Sequence, residues 1–134
     1  PFVQRLKTRA QFQAVLAGGT LARTHHFALH RVALDCAGES LFPMVDTWLG
    51  AMVPKRWAKR AVTRNAIKRQ IYAVSAISPL LPQAHVVRLR ATFDRKQFIS
   101  ATSDVLKTAV REELIKLFKR AEEASIHSNL KAVA

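Results

Sequence analysis

Acidic residues and cysteine are scarce in this chain of 134 residues, and their scarcity excludes several classes of protein. Nine Asp and Glu oppose 22 Lys and Arg, so the net charge is +13. A domain this basic usually binds nucleic acid, an anionic membrane or an acidic protein. The single cysteine, Cys36, excludes an intrachain disulfide and cannot by itself build a cysteine zinc site. No apolar run is long enough to cross a bilayer, which excludes an integral membrane protein.

Catalytic motifs are lacking as well. No glycine-rich phosphate loop is present, so nucleotide hydrolysis is not expected. The acids are scattered, and a two-metal nuclease needs carboxylates that converge on the scissile phosphate. His25, His26, His30 and His85 could serve as acid, base or metal ligand, but His25 and His26 are adjacent and would diverge on an extended chain. We therefore predict no catalytic and no metal-binding residue in the chain.

The length predicts a single domain, and 49% apolar residues suffice for a modest core. We assign residues 1–124 to this domain and residues 125–134 to a flexible tail. No signal peptide is recognisable. Together with the lone cysteine, this predicts a cytoplasmic protein.

Hydrophobic periodicity predicts three helices and three strands. The helices fall near residues 9–17, 61–77 and 100–124, and the strands near residues 27–34, 48–54 and 85–91. Thr8 is expected to cap the first helix, which Gly18 and Gly19 should end. The order helix, strand, strand, helix, strand, helix predicts an α+β two-layer sandwich, in which helices pack on a small sheet.

The densest charge lies between residues 55 and 69, where seven cations occur without one acid. These cations are Lys55, Arg56, Lys59, Arg60, Arg64, Lys68 and Arg69. No Asp or Glu occurs between Asp46 and Asp94. Because like charges repel, such a run must be neutralised by solvent ions or by a polyanion.

The helix that begins at Ala61 separates into two faces when its residues are spaced about 100° apart. The apolar face holds Val62, Ala66, Ile67, Ile71, Val74 and Ile77, and the polar face holds Arg64, Asn65, Lys68, Arg69 and Tyr72. A basic helix face is often only a solvated surface. Here the excess of cations favours a phosphate backbone as the partner, because arginine binds phosphate through two parallel hydrogen bonds. Counterion release would make that binding salt-sensitive.

The basic segment resembles the signature of the bacterial ribonuclease P protein family. That signature is a strand ending in two basic residues, a short basic loop, and a helix opening with Arg-Asn-Arg, one residue and Lys-Arg. Here Lys55 and Arg56 are followed by WAKRAVT and then by RNAIKR, residues 64–69. Ala66 replaces the second arginine of the motif, and Tyr72 stands where many members carry another basic residue. Contacts assigned to the missing arginine therefore do not carry over.

The resemblance extends to the start of the chain, where the family has Arg-Leu, Phe-x-x-Val and a glycine turn. This sequence has Arg5-Leu6, then FQAV at residues 12–15, then Gly18-Gly19. The family fold implies a left-handed strand–helix–strand crossover, shared with some ribosomal protein domains. The resemblance also implies a patch between the first helix and the sheet that holds single-stranded RNA, and here this patch would comprise Phe12, Leu16 and His30.

The resemblance implies a protein subunit of ribonuclease P, which matures the 5′ end of tRNA by endonucleolytic cleavage. In that enzyme the RNA carries the catalysis and holds most of the Mg²⁺, so the protein alone should be inactive. The partners implied are the catalytic RNA and precursor tRNA with its 5′ leader, with no membrane and no identified protein partner. The RNA-binding residues implied are Lys55, Arg56, Lys59, Arg60, Arg64, Asn65, Lys68, Arg69 and Arg90.

Two other hypotheses fit the same charge pattern. The first is a non-enzymatic RNA-binding module of ribosomal type, which charge alone does not separate from a ribonuclease P subunit. The second is a nuclease that acts without RNA, for which His25 or His30 would have to be essential.

Overall fold

The computed structural model describes residues 3–34, 41–93 and 104–133. These residues contain eight secondary-structure elements. In chain order they are β1 (Gln4–Arg5), α1 (Arg9–Ala17), β2 (Thr20–Arg23), β3 (Phe27–Val32), β4 (Trp48–Met52), α2 (Ala61–Ala76), β5 (Ala84–Leu89) and α3 (Asp104–Val133). The predicted α+β class is confirmed. The lone Cys36 lies outside the described residues.

A capping box fixes the start of α1. The Thr8 hydroxyl accepts a hydrogen bond from the Gln11 amide at 3.2 Å, and Gln11 Oε1 accepts one from the Thr8 amide at 3.1 Å. Gly18 forms the C-cap, and Gly19 follows with a φ of 92°, a conformation that favours glycine. The predicted cap and bounds of this helix are confirmed.

The sheet has the strand order β1-β4-β5-β3-β2. Strands β1, β4 and β5 are parallel, whereas β3 pairs antiparallel with β5 and β2 antiparallel with β3. Strands β1 and β2 were not predicted from the sequence. Both are short edge strands, and two to four residues are too few for an alternating pattern to stand out.

Helices cover both faces of the sheet. Helices α2 and α3 pack on the face that carries Phe27, Leu29 and Leu89. Helix α1 packs on the opposite face, where Val15 meets Val86. Because successive side chains of a strand point to opposite faces of the sheet, the strands present a second set of apolar residues on this side, and α1 packs on that set. We call this second side the α1 face.

The predicted crossover is present, because α2 connects the adjacent parallel strands β4 and β5. Its left-handed sense stays a prediction from the family resemblance. The end of the last helix was placed wrongly at residue 124. Helix α3 continues to Val133, since the sequence has no Gly or Pro there to end it. The flexibility assigned to residues 125–134 stays a prediction. Among the described helices, none combines the length and apolar character that crossing a bilayer requires.

Candidate nucleic-acid interface

The basic loop between β4 and α2 is anchored to the core by its own apolar residues. The Pro54 carbonyl accepts hydrogen bonds from the Trp57 and Ala58 amides, each at 3.1 Å, which closes a tight turn. Ala58 is buried, and the half-buried Trp57 ring packs against the core. The flanking cations therefore point to solvent, and those exposed residues are Lys55, Arg56, Lys59 and Arg60.

Arg64 connects the loop to the helix. Its Nη1 donates to the Ala58 carbonyl at 3.0 Å and to the Lys59 carbonyl at 2.8 Å. These two bonds hold the loop against the first turn of α2. Of the predicted RNA-binding arginines in this segment, Arg64 thus has a structural role as well as a charge.

Helix α2 presents its cations as predicted. Asn65, Lys68 and Arg69 are exposed, while the apolar side is buried at Ala66, Ile67, Ile71 and Val74. Ala66 is only 7% exposed, which confirms that the position lacking the motif arginine belongs to the apolar side.

Two residues of the predicted apolar face are not buried. Val62 is 45% exposed and Ile77 is 67% exposed. Val62 lies in the first turn of α2 and Ile77 follows its last residue, so both lie at the ends of the helix and not in its packed middle. A helical wheel predicts the direction of each side chain, but it does not predict how far along the helix other elements pack.

A contact that the sequence does not predict joins β1 to α2. The Arg5 guanidinium lies 3.9 Å from the centroid of the Tyr72 ring, within the range of a cation–π interaction. Arg5 and Tyr72 border a cleft of about 450 Å³ whose other lining residues are Asn65, Lys68, Arg69 and Ala73. The only signal for this contact in the sequence was Tyr72 itself, which stands where a basic residue is common.

The cations of this surface have no carboxylate partners within the described ranges. Within those ranges, the one contact between a basic and an acidic side chain joins His26 Nδ1 to Glu113 Oε1 at 2.7 Å. We call the residues Lys55, Arg56, Lys59, Arg60, Arg64, Asn65, Lys68 and Arg69 the cationic surface. Its positive charge is uncompensated, so a polyanion would replace solvent counterions there.

Phe12 and Leu16 lie together on the α1 face, as predicted for the leader patch. Both are half-buried and pack against the smaller core of that face. The Phe12 ring sits beside Gly50 of β4 and Leu6. An aromatic ring with part of its surface open to solvent can accept a stacked base.

His30 belongs to the same face but is only 6% exposed. Its Nδ1 lies 3.2 Å from the Gly19 carbonyl, and Arg88 Nε donates to its Nε2 at 3.3 Å. Burial lowers the pKa of His30 below its ordinary value, and the Arg88 cation lowers it further. The ring is thus neutral at pH 7 and carries its proton on Nδ1. In this arrangement His30 holds Arg88 and has little ring surface for a base.

Arg90 is also engaged with the protein. Its Nη1 donates to the Thr24 carbonyl at 2.9 Å and to the His25 carbonyl at 3.2 Å. It fastens the end of β5 to the turn between β2 and β3. Its predicted contact with RNA stays a prediction.

The prediction that His25 and His26 diverge is wrong. Their ring centroids are 4.1 Å apart, because the two residues lie in the bend between β2 and β3 and not in an extended strand. His26 also stacks on Phe93 at 3.9 Å and bonds to Glu113. Within the described residues, no three His, Cys, Asp or Glu side chains are grouped so that they could hold a metal ion.

The comparisons with known proteins agree with one another. The family model described as Ribonuclease P matches residues 1–122. The ribonuclease P protein component of Ralstonia pickettii is 35% identical over 123 residues, which cover 90% of this chain and 81% of the relative. That of Bordetella parapertussis is 37% identical over 122 residues, covering 90% and 93%. The fold is that of the Staphylococcus aureus RNase P protein, with a TM-score of 0.65 at 22% identity, covering 89% of this chain and 95% of that one.

Proposed function

Since the chain belongs to the ribonuclease P protein family and so serves the 5′ maturation of tRNA, we propose that its cationic surface docks the catalytic RNA. We propose further that the α1 face holds the 5′ leader of precursor tRNA, and that the complex acts in the cytoplasm. The observation that carries the proposal is the cationic surface, eight side chains without a described acidic partner.

The rigidity of the surface supports RNA docking. The buried Ala58 and the half-buried Trp57 fix the loop, and Arg64 ties the loop to α2. Cations that are already held in place lose less conformational entropy when they bind a folded RNA. Arg56 also lies over the Trp57 ring at 5.0 Å, which limits the motion of its guanidinium.

Catalysis is proposed to lie with the RNA. The side chains of the cationic surface are ammonium and guanidinium groups with one amide, a set that repels a divalent cation. Mg²⁺ prefers oxygen ligands such as carboxylates and phosphates. We therefore assign the Mg²⁺ of the holoenzyme to the RNA, and the protein contributes by neutralising nearby phosphates.

The α1 face is suited to single-stranded RNA for a different reason. Phe12 and Leu16 offer apolar surface, and Arg88, which bonds to His30, adds a half-buried cation on the same face. Unstacked bases bind aromatic surfaces, while their phosphates pair with cations. Leu6, which directly follows the edge strand β1, contacts this face while its neighbour Arg5 contacts α2, so one short segment touches both proposed RNA-binding surfaces.

Reconstitution tests the proposal. The chain is mixed with a bacterial ribonuclease P RNA transcript and a precursor tRNA at low Mg²⁺, and release of the 5′ leader is measured. We expect no cleavage by the protein alone and strong stimulation of cleavage by the RNA. The double variant Lys68→Ala/Arg69→Ala should stimulate less than Lys116→Ala/Lys119→Ala, which removes the same charge from exposed positions of α3.

Two outcomes would contradict the proposal. Cleavage without added RNA would mean that the protein is itself a nuclease. Failure to stimulate, combined with co-purification of ribosomal particles from cells, would mean that it is an RNA-binding module of ribosomal type.

A further inference from the structure

The cleft between β1 and α2 offers hydrogen-bond donors that the protein itself does not use. Within the described residues, the side chains of Arg5, Asn65, Lys68 and Arg69 make no hydrogen bond or ion pair. No acid is among the lining residues. Three cations and an amide therefore converge on one concave site, and their natural ligand is an anion.

The wall of the cleft is planar as well as charged. Arg5 stacks on Tyr72 with its guanidinium 3.9 Å from the ring centroid. This contact holds the guanidinium over the ring, and its outer side stays open to solvent because Arg5 is exposed. Planar guanidinium groups and aromatic rings are the surfaces on which unstacked bases lie in RNA-binding proteins.

The size of the cleft suits one small unit. A cleft of about 450 Å³ falls in the range of sites that hold a single small molecule. The A-form duplex is recognised across its wide shallow groove and phosphates, and it does not present a separated base to a cleft.

From these observations we propose that the cleft lined by Arg5, Asn65, Lys68, Arg69 and Tyr72 captures one extrahelical nucleotide of the bound RNA. Lys68 and Arg69 hold its phosphate, and the base lies on the Arg5–Tyr72 stack. Asn65 can both donate and accept, so it can bond to an edge of the base or to the ribose. Arg5 thereby supplies from β1 the guanidinium that α2 lacks at position 72.

The inference rests on the proposed function, since it assumes that this surface faces RNA, but its test needs no catalytic RNA. Titrations of the full chain with adenosine 5′-monophosphate and with ribose 5-phosphate are followed by NMR at the Tyr72 ring and the Asn65 side-chain amide. We expect the nucleotide to bind at least about fivefold more tightly than the sugar phosphate, because base stacking adds to phosphate binding.

Substitutions distinguish the contribution of the Arg5–Tyr72 stack to nucleotide binding from the contribution of positive charge. Arg5→Ala should abolish the preference for the nucleotide, while Arg9→Ala, an equal loss of charge at an exposed position of α1, should leave the preference intact. Tyr72→Phe keeps the ring and should also retain the preference.

Equal affinity of the native chain for the two ligands would overturn the proposal, as would Arg5→Ala behaving like Arg9→Ala. Nucleotide binding in the cleft together with failed reconstitution would refute the subunit function but would support the nucleotide site. Normal reconstitution with no preference for the nucleotide would refute only the proposal that the cleft binds a nucleotide.

Discussion

The ring of Phe12 lies against Gly50, and there is no room between them for a side chain. A Cβ built on Gly50 would approach Phe12 Cε1 to 2.5 Å and Leu6 Cδ1 to 2.9 Å, well inside van der Waals contact. Gly50 pairs with Val86 in the middle of the sheet, so the strand cannot easily move away. The missing side chain in β4 thus seats the aromatic ring of the proposed leader patch.

Gly50→Ala should displace Phe12 and weaken binding of the leader. Overpacking of this kind costs about 1–3 kcal/mol of folding free energy. We expect the reconstituted enzyme to lose affinity for precursor tRNA with a 5′ leader but to keep its affinity for mature tRNA. The control is Val87→Ala, which removes buried volume on the opposite face of the sheet. An equal loss of affinity for both tRNAs would show that Phe12 does not contact the leader.

Lys68→Ala should reduce the salt dependence of RNA binding. Each phosphate contact contributes roughly 0.7 to 0.9 to the slope of log K against log salt concentration. Removing the exposed Lys68 ammonium should lower the slope by about that amount, whereas Lys119→Ala on α3 should leave it unchanged. Filter binding of a bacterial ribonuclease P RNA across a salt series measures both slopes. If the two variants had the same slope, the cationic surface would not be the RNA-binding surface.

Arg64→Lys tests the connection between loop and helix. Lysine keeps the charge but lacks a guanidinium, and so cannot reproduce the hydrogen bonds to the Ala58 and Lys59 carbonyls with the same geometry. We expect weaker RNA binding with an unchanged salt slope, and faster amide hydrogen exchange in the basic loop. Arg69→Lys is the control, because Arg69 makes no such bonds within the described chain. Unaltered exchange in the Arg64→Lys loop would contradict the structural role.

His85 should make folding stability depend on pH. Burial lowers the pKa of His85 to about 4, although the hydrogen bond to the Trp48 carbonyl opposes the shift. The unfolded chain takes up the proton near pH 6.5 and the folded chain only near pH 4. Stability is therefore fully present above pH 6.5 and is lost as the pH falls toward 4, by about 3 kcal/mol in all.

Urea denaturation between pH 7 and pH 4 measures this loss. The lowered pKa of the buried His30 adds a change in the same direction. His85→Gln should therefore remove only part of the pH dependence, whereas His25→Gln, at an exposed ring, should keep it. A His85→Gln variant with the native pH dependence would show that His85 is not the group responsible.

The elements with long, periodic patterns were predictable because their signals are local. The capping box of α1 involves Thr8 and Gln11, three positions apart, and the apolar side of α2 repeats at the helical period. The cations of α2 were equally predictable, since a helix fixes the direction of each side chain relative to its neighbours. The family motif added the identity of the RNA partner, which periodicity does not contain.

The contacts that could not be predicted from the sequence depend on pairs of residues far apart in the chain. The Arg5–Tyr72 stack, the His30–Arg88 bond and the seat of Phe12 on Gly50 each require strands that the topology brings together. The sequence by itself determined where this protein is basic, which helix carries the charge and which side of that helix is buried. Only the tertiary structure decided which polar groups remain free to bind RNA, because that depends on whether another segment of the chain already occupies their hydrogen bonds.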